Sequence, residues 1–412
     1  GQKRLSQKSC LTAAEDGTSL DATSKWQEAP PVVDYHGPPE LAGRLGDALL
    51  CQWRGNGKRA GVTNGFHPYK ALMEPLAASM MLELLPGDGA ILDPFVGSGT
   101  IMIEVMLAGR AAIGTDVSPL AVGIARHHCW TPSPAALDEL RAAVAAVVAS
   151  MDGMDGLDWE HSRRLVAACE TKYSPEVVGA LWFLLSVEEQ NTWPSWRKPC
   201  TLAERYGRTG ERYLGKLAAL VAAVPAGTPA ARIGVADARV CDQGAELVDG
   251  VLSSPPYPGV FNYLHEPGCT GGMAKHVLGG CDARSGHTSP EEEHRQPNQA
   301  PELGSRRELE SEPGSFAERW QADTESWLRA CAARLRPQGR IAIIIGDDAG
   351  INTLTSVRDA AEAVSATEDW DLRILASASS TDKLTRPWKK QRRRAYRVEH
   401  TILLEKTMPA SD

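Results

Sequence analysis

No stretch of this sequence runs for about 18 apolar residues, so it offers no membrane-spanning helix. Its nine cysteines, at 10, 51, 129, 169, 200, 241, 269, 281 and 331, include no Cys-x-x-Cys pair. Zinc needs clustered soft ligands, so these scattered positions read as reduced thiols of an intracellular protein, and no metal site is expected. Positive charge is not in excess: 44 Lys and Arg face 52 Asp and Glu, a formal net charge of −8. A generally basic nucleic-acid coat is thereby excluded, and any polyanion binding is confined to local patches. A Walker phosphate loop is missing, because no Gly-Lys-Ser/Thr occurs, and there is no internal repeat. The opening GQKRLSQKSC is basic and contains serine, yet is too short to read as a transit peptide.

What remains is a chain of 412 residues, 42% hydrophobic and 23% charged, enough for one large domain with insertions. Residues 1–40 mix Ser, Thr, Pro and charge without periodicity and read as a flexible lead-in. In the next segment, 41–134, FHPYKALMEPLAASMMLELL has helical spacing from about residue 66, with Pro75 tolerable in a first turn. AILDPFVGSGTIMIEVMLAG then reads as strand, Gly-rich turn and helix. RAAIGTDVS is a second strand ending in an acid, and PLAVGIARHHCW a second helix with Pro119 at its start. This βαβα beginning predicts parallel strands joined by right-handed crossovers.

Residues 135–230 break the alternation with three helical segments, two led by Ser-Pro and one by Thr, and read as a helical insertion. Strands resume within 231–263, in ARIGVADAR and LVDGVLSS. The polar, Gly-, Pro- and Glu-rich run 264–315 predicts a disordered loop. Residues 316–408 return to the core with a helix, the turn RPQG, the apolar strand RIAIIIGD, a helix near 352–366 and two last strands.

Two places carry chemistry. In LDPFVGSGT, Gly97 and Gly99 flank Ser98 directly after a strand, where glycine permits a tight turn and close approach of a ligand to the backbone. Thr100 is placed to cap the helix that follows. Asp116, 17 residues beyond Gly99 at the tip of the next strand, is placed to accept bonds from ribose hydroxyls. The pattern is GxGT and not GxGxxG, so a nucleoside lacking a pyrophosphate fits this turn better. The second place is VLSSPPYPGVFNY, from Val251 to Tyr263, where a buried strand runs into two serines, two prolines and a tyrosine.

Together DPFVGSGT, GTDVSPLAV, ADAR and SSPPY resemble the S-adenosylmethionine-dependent methyltransferases that modify exocyclic amines of bases. More narrowly they are similar to bacterial-type DNA methylases of the N4-cytosine/N6-adenine group. The resemblance covers about residues 66–130, 231–263 and 316–406. It implies an α/β fold: a doubly wound, mostly parallel, seven-stranded Rossmann-like sheet with a terminal antiparallel pair and the helical insertion. It also implies S-adenosyl-L-methionine as cofactor. Asp93, Gly97 and Gly99 would hold the methionine part, Asp116 the ribose and Asp237 the adenine; Phe95, Ser98, Thr100, Val117 and Ala238 complete the cofactor-binding set. FHPYKALMEP looks like the segment that closes over the methionine end, and His67 within it is either part of that closure or a packed histidine.

Exocyclic amines are poor nucleophiles, because the nitrogen lone pair is delocalised into the ring. A catalyst must hold the amine with two acceptors so that the lone pair faces the methyl group. Ser254 offers a hydroxyl and Pro255 a carbonyl, and Pro255 and Pro256 together remove two N–H donors and fix φ. Tyr257 offers a face for a base taken out of its stack, an interaction worth roughly 1–3 kcal/mol. Asn262 and Tyr263 either extend the pocket or pack. Serine at the first motif position leans toward N4 of cytosine in the family, with N6 of adenine next.

The implied partner is nucleic acid, with DNA favoured and RNA possible, and no membrane; the sequence is silent on oligomeric state. RPWKKQRRRAYR (386–397), with Lys389, Arg392 and Arg393, is a phosphate-contacting edge, a solvated turn or a nuclear-localisation signal. CQWRGNGKR (51–59) is similarly ambiguous. Two rival readings stand beside the DNA methylase. One is an RNA guanine-N2 methyltransferase, whose motif usually reads Asp-Pro-Pro-Tyr. The other is a non-catalytic nucleic-acid-binding protein that keeps the fold.

Overall fold

The structure is a computed structural model that describes residues 32–54, 62–69, 72–151, 153–154, 159–190, 200–240, 246–260, 302–383 and 396–408. Its strands are β1 (Val32–His36), β2 (Ile91–Asp93), β3 (Ala112–Asp116), β4 (Arg232–Val235), β5 (Val248–Ser253), β6 (Leu335–Gly346), β7 (Asp371–Lys383) and β8 (Tyr396–Thr407). They form one sheet in the order β1-β7-β8-β6-β5-β2-β3-β4. Strands β4, β3, β2, β5 and β6 pair in parallel, whereas β8 pairs antiparallel with both β6 and β7. The order reverses between β2 and β5. Ligands of open α/β sheets bind at such a switch point, beyond the carboxyl ends of the strands.

The sheet is covered on both faces, and strand β6 shows why. Ile341, Ile343 and Ile345 pack against Trp327 and Leu328 of α10 (Phe316–Arg334) and Val357 and Ala360 of α11 (Thr353–Ser365). The intervening Ala342 and Ile344 share the opposite core with Leu45 and Leu49 of α1 (Pro39–Arg54) and Met81 of α2 (Pro75–Leu82). Alternate side chains point to opposite faces, so a continuous apolar run is the pattern of a strand buried on both sides. The fold is the doubly wound α/β sheet expected from the sequence, with eight strands among the described residues in place of seven.

The extra strand comes from residues expected to form a flexible lead-in. Val32–His36 pairs antiparallel with β7 at the sheet edge. Its residues 34–36 are exposed, so the segment carries no alternation of apolar residues to betray it. Helix α2 begins only at Pro75, not near residue 66, because the proline ring fits a first helical position but no later one. Ahead of it, residues 62–69 form an irregular, mostly buried segment.

After α3 (Thr100–Leu107) and α4 (Pro119–His128) the described residues of the insertion form four helices, one more than expected: α5 (Pro134–Ser150), α6 (Trp159–Glu170), α7 (Pro175–Gln190) and α8 (Leu202–Ala223). Ser133 caps α5, and Thr201 forms a reciprocal capping box with Glu204 on α8. Ser174 instead donates to Glu139 Oε2 at 3.0 Å, tying α7 to α5. The bundle has its own core around Phe183, Tyr206 and Tyr213, which also takes in Phe66 of the irregular segment.

The stretch 264–315, expected to be a disordered loop, is folded at its described end. Ser305 caps α9 (Arg306–Ser311), and Leu303 is buried. The Gly259 N–H donates to the Gly304 carbonyl at 2.8 Å, and Gly304 lies so close against Trp320 that a Cβ there would meet the ring at 2.5 Å. Composition hid this because Leu303 is an isolated apolar residue inside a polar run and its partner Trp320 stands beyond it.

Candidate active site

Strand β2 ends at Asp93, and the chain turns through Gly97 (φ +49°) and Gly99 (φ +83°) into α3. Both positions are in the left-handed region that favours glycine. A Cβ on Gly99 would come 3.0 Å from Ala125 Cβ on α4, so this glycine also lets two helices approach. Gly99 itself occupies the cap position of α3, which corrects the expectation for Thr100: it is the first helical residue, and its hydroxyl lies 3.5 Å from Ser98 Oγ. Asp116, at the end of β3, clamps the turn. Its carboxylate accepts from the Gly97 N–H at 3.0 Å and from the Ser118 N–H at 2.9 Å. Burial raises its pKa to about 6 against those stabilising bonds.

Strand β5 lies beside β2 and delivers the second half. Ser253 is fully buried, and its hydroxyl donates to Asp93 Oδ1 at 2.6 Å, the same oxygen that accepts from the Phe95 N–H at 3.1 Å. Desolvation lifts Asp93 to about 7 although both bonds favour its charged form. Asp93 is therefore a buried brace between the strands and stands behind the cleft. One residue later, Ser254 is half-buried and faces the opening. Pro255 is buried, and Tyr257 is half-buried with its hydroxyl donating to Glu399 Oε1 at 3.2 Å.

The two halves share one cleft of about 730 Å³, open mouth included, lined by Tyr69, Pro94, Phe95, Gly97, Asp116, Val117, Ser118, Asp237, Ala238, Arg239, Ser254, Pro256, Glu302 and Leu303. Of the residues singled out in the sequence, Phe95, Gly97, Asp116, Val117, Asp237, Ala238, Ser254 and Pro256 meet there. Ser98, Gly99 and Thr100 lie behind the turn, and Pro255 and Tyr257 beside the wall. Asn262, Lys389, Arg392 and Arg393 lie outside the described residues.

Tyr69, Ser118, Arg239, Glu302 and Leu303 were missed. Glu302 and Leu303 arrive from the far end of the long polar stretch, which no local pattern announces. Arg239 could have been found as the cation two residues after Asp237. It holds that carboxylate at 2.8 Å and also Asp323 of α10 at 2.9 Å. Burial pushes Asp237 upward, but the bonds and charge of Arg239 outweigh it and keep the carboxyl below its usual range. Three acids and one guanidinium thus ring a cleft that suits a cation.

A donor such as S-adenosylmethionine fits the residues present. Gly97 and Tyr69 both line the cleft, and Tyr69 packs so near that a Cβ on Gly97 would lie 3.4 Å from its ring. Asp116 keeps lone pairs for hydroxyls beyond its two backbone bonds. Among known families, the model of the N6/N4 methyltransferases, described as DNA methylase, matches residues 53–127. The matched residues include the glycine turn and Asp116. Over 64 residues the chain is 38% identical to the type II methyltransferase M.MvaI of Kocuria varians, covering 15% of this chain and 14% of that protein. Over 58 residues it is 41% identical to the type II methyltransferase M.MjaII of Methanocaldococcus jannaschii, covering 14% and 11%. The chain thus spans about one-seventh or less of the length of these relatives. Among solved structures, the rRNA methyltransferase AviRa of Streptomyces viridochromogenes is 14% identical, with 85% of this chain and 91% of that chain covered and a TM-score of 0.32.

Proposed function

We propose that this protein transfers a methyl group from S-adenosylmethionine to an exocyclic amine of a nucleobase in DNA, with N4 of cytosine as the first candidate. The observation that carries this reading is that Gly97 and Ser254 line one cleft, while Ser253 and Asp93 lock their two strands together behind it. When bound, S-adenosylmethionine supplies an electrophilic methyl on a sulfonium. Asp116 takes the ribose hydroxyls, Gly97 admits the methionine arm, and Phe95, Val117 and Ala238 flank the adenine. Asp237 reaches that ring only together with Arg239, since the two side chains are bonded.

On the acceptor side, the Ser254 hydroxyl and the Pro255 carbonyl take the two amine hydrogens. The lone pair then faces the methyl as nitrogen becomes tetrahedral. Consecutive prolines supply no N–H, so nothing there competes for the acceptors. The same two oxygens stand where the proton lost after transfer would leave. Tyr257, held by Glu399, offers its ring to a flipped base. Lys389, Arg392 and Arg393 contribute phosphate contacts in this reading.

A labelled-methyl assay with duplex DNA, single-stranded DNA and total tRNA side by side tests the proposal. Label is expected in DNA, and label confined to tRNA would move the target to RNA. Binding of S-adenosylmethionine without transfer to any nucleic acid would favour a non-catalytic protein.

A further inference from the structure

One buried histidine joins the glycine turn to the segment that carries Tyr69. His128, the last residue of α4, is fully buried. Its Nε2 lies 3.1 Å from the His67 N–H, which can only donate, so Nε2 accepts and the ring proton sits on Nδ1. Nδ1 in turn donates to the Ser98 carbonyl at 2.8 Å, in the middle of the Gly97–Gly99 turn. The Thr63 hydroxyl donates to the carbonyl of His128 itself, adding a second tie to the segment 62–69. The same segment carries Tyr69, which packs beside Gly97 in the cleft lining.

We propose that His128 is a positioning residue for methyl-donor binding. It fixes the spacing between the glycine turn and the Tyr69 wall by holding the Ser98 carbonyl and the His67 amide on the two edges of one neutral imidazole. The inference rests on the donor reading given above and adds to it a residue that touches no ligand.

The environment enforces the neutral form that this geometry needs. Desolvation lowers the His128 pKa to about 3, against the bond to Ser98, so the ring keeps one donor and one acceptor throughout the physiological range. The helical insertion builds that environment. Phe183 meets the His128 ring edge-on with centroids 5.6 Å apart. Tyr213 donates to the His127 carbonyl at 2.8 Å, Lys216 donates to the Val62 carbonyl at 2.6 Å, and Arg212 lies 5.0 Å above the Phe66 ring. These contacts press α4 and residues 62–69 together from outside the sheet. The insertion therefore acts on the donor site through His128.

The test uses the full chain and three variants. His128→Leu removes both bonds, His128→Asn restores a donor toward Ser98, and His128→Gln restores an acceptor toward His67. Hydrogen exchange reads the tether without any ligand. His128→Leu is expected to speed exchange about tenfold in both 62–69 and 95–103, with the α5–α8 amides unchanged. Calorimetry with S-adenosylmethionine is expected to show about tenfold weaker binding for His128→Leu, and recovery to within about threefold for His128→Asn. The methyl-transfer kcat at saturating donor is expected to stay within about threefold, because the acceptor side is untouched.

Exchange that speeds up in 62–69 alone, or in neither segment, overturns the proposal, as does unchanged donor affinity in a folded His128→Leu. Should that variant fail to fold, equal donor affinities for His128→Asn and His128→Gln overturn it, and tighter binding by Asn supports it. If the wild-type protein binds no S-adenosylmethionine, the donor reading fails by itself, and the exchange data still decide whether the tether exists.

Discussion

The two lips of the cleft are held in place by different means. On the acceptor lip, SSPPY constrains itself: two adjacent rings fix φ, and Ser253, one residue further back than Ser254, is braced by a buried bond to Asp93. On the donor lip, the glycines permit the turn but do not choose it. Its shape is imposed by Asp116 from β3, by the Thr115 carbonyl, which receives the Val96 N–H at 2.8 Å, and by His128 from α4. A turn with free backbone needs partners brought from afar, whereas a proline hinge carries its own restraint. Lesions on the acceptor lip should therefore strike the chemical step, and lesions on the donor lip should strike binding.

The sharpest break between the two is Ser254→Ala. Loss of one transition-state acceptor is expected to cut kcat by about 100-fold or more, with donor affinity within about threefold of wild type. Single-turnover methyl transfer together with calorimetry checks both halves of that statement. The mirror experiment is Asp116→Ala, which removes the clamp on Gly97 and the proposed ribose acceptor together. Donor affinity is expected to fall roughly 10- to 100-fold, read by the same calorimetry. Equal effects of these two variants on affinity would erase the distinction.

Smaller effects probe the brace behind the cleft. Ser253→Ala leaves the buried Asp93 carboxyl short of one donor and is expected to cost about 1–3 kcal/mol of stability in urea unfolding. Asp93 also gives a pH signature. Its folded pKa, near 7, stands above the ordinary carboxylate value, so its contribution to stability is fully present below about pH 4 and is lost as pH rises through 7. Asp93→Asn removes that loss, so its stability relative to wild type is expected to rise between pH 5 and pH 8. The comparison must be made against wild type at each pH. His67, with a folded pKa near 4, and His128, near 3, contribute in the opposite sense: their stabilisation is fully present above 6.5 and is lost as pH falls from there toward the folded values.

How much of this was legible follows from the same contrast. Strand β6 declared itself as an unbroken apolar run, and the acceptor motif as a short string of residues that limit their own backbone. The glycine turn and Asp116 were legible because their spacing is local to one βαβ unit. Glu302, Leu303 and His128 were not, because each reaches the site through tertiary contacts with segments that are distant in the chain or carry no motif. Edge strand β1 escaped because an exposed strand need not alternate. Ser253 stood next to the residue singled out, yet only the pairing of β5 with β2 shows which serine is buried and which is open.

The most direct test is mass spectrometry of nucleosides from DNA of a host expressing the wild-type chain or Ser254→Ala. The account predicts N4-methylcytosine, or N6-methyladenine, with wild type and neither above background with the variant. Equal methylation by both, or no methylated base in either DNA or RNA, would contradict the claim that the glycine turn and the serine–proline hinge form one methyl-transfer site.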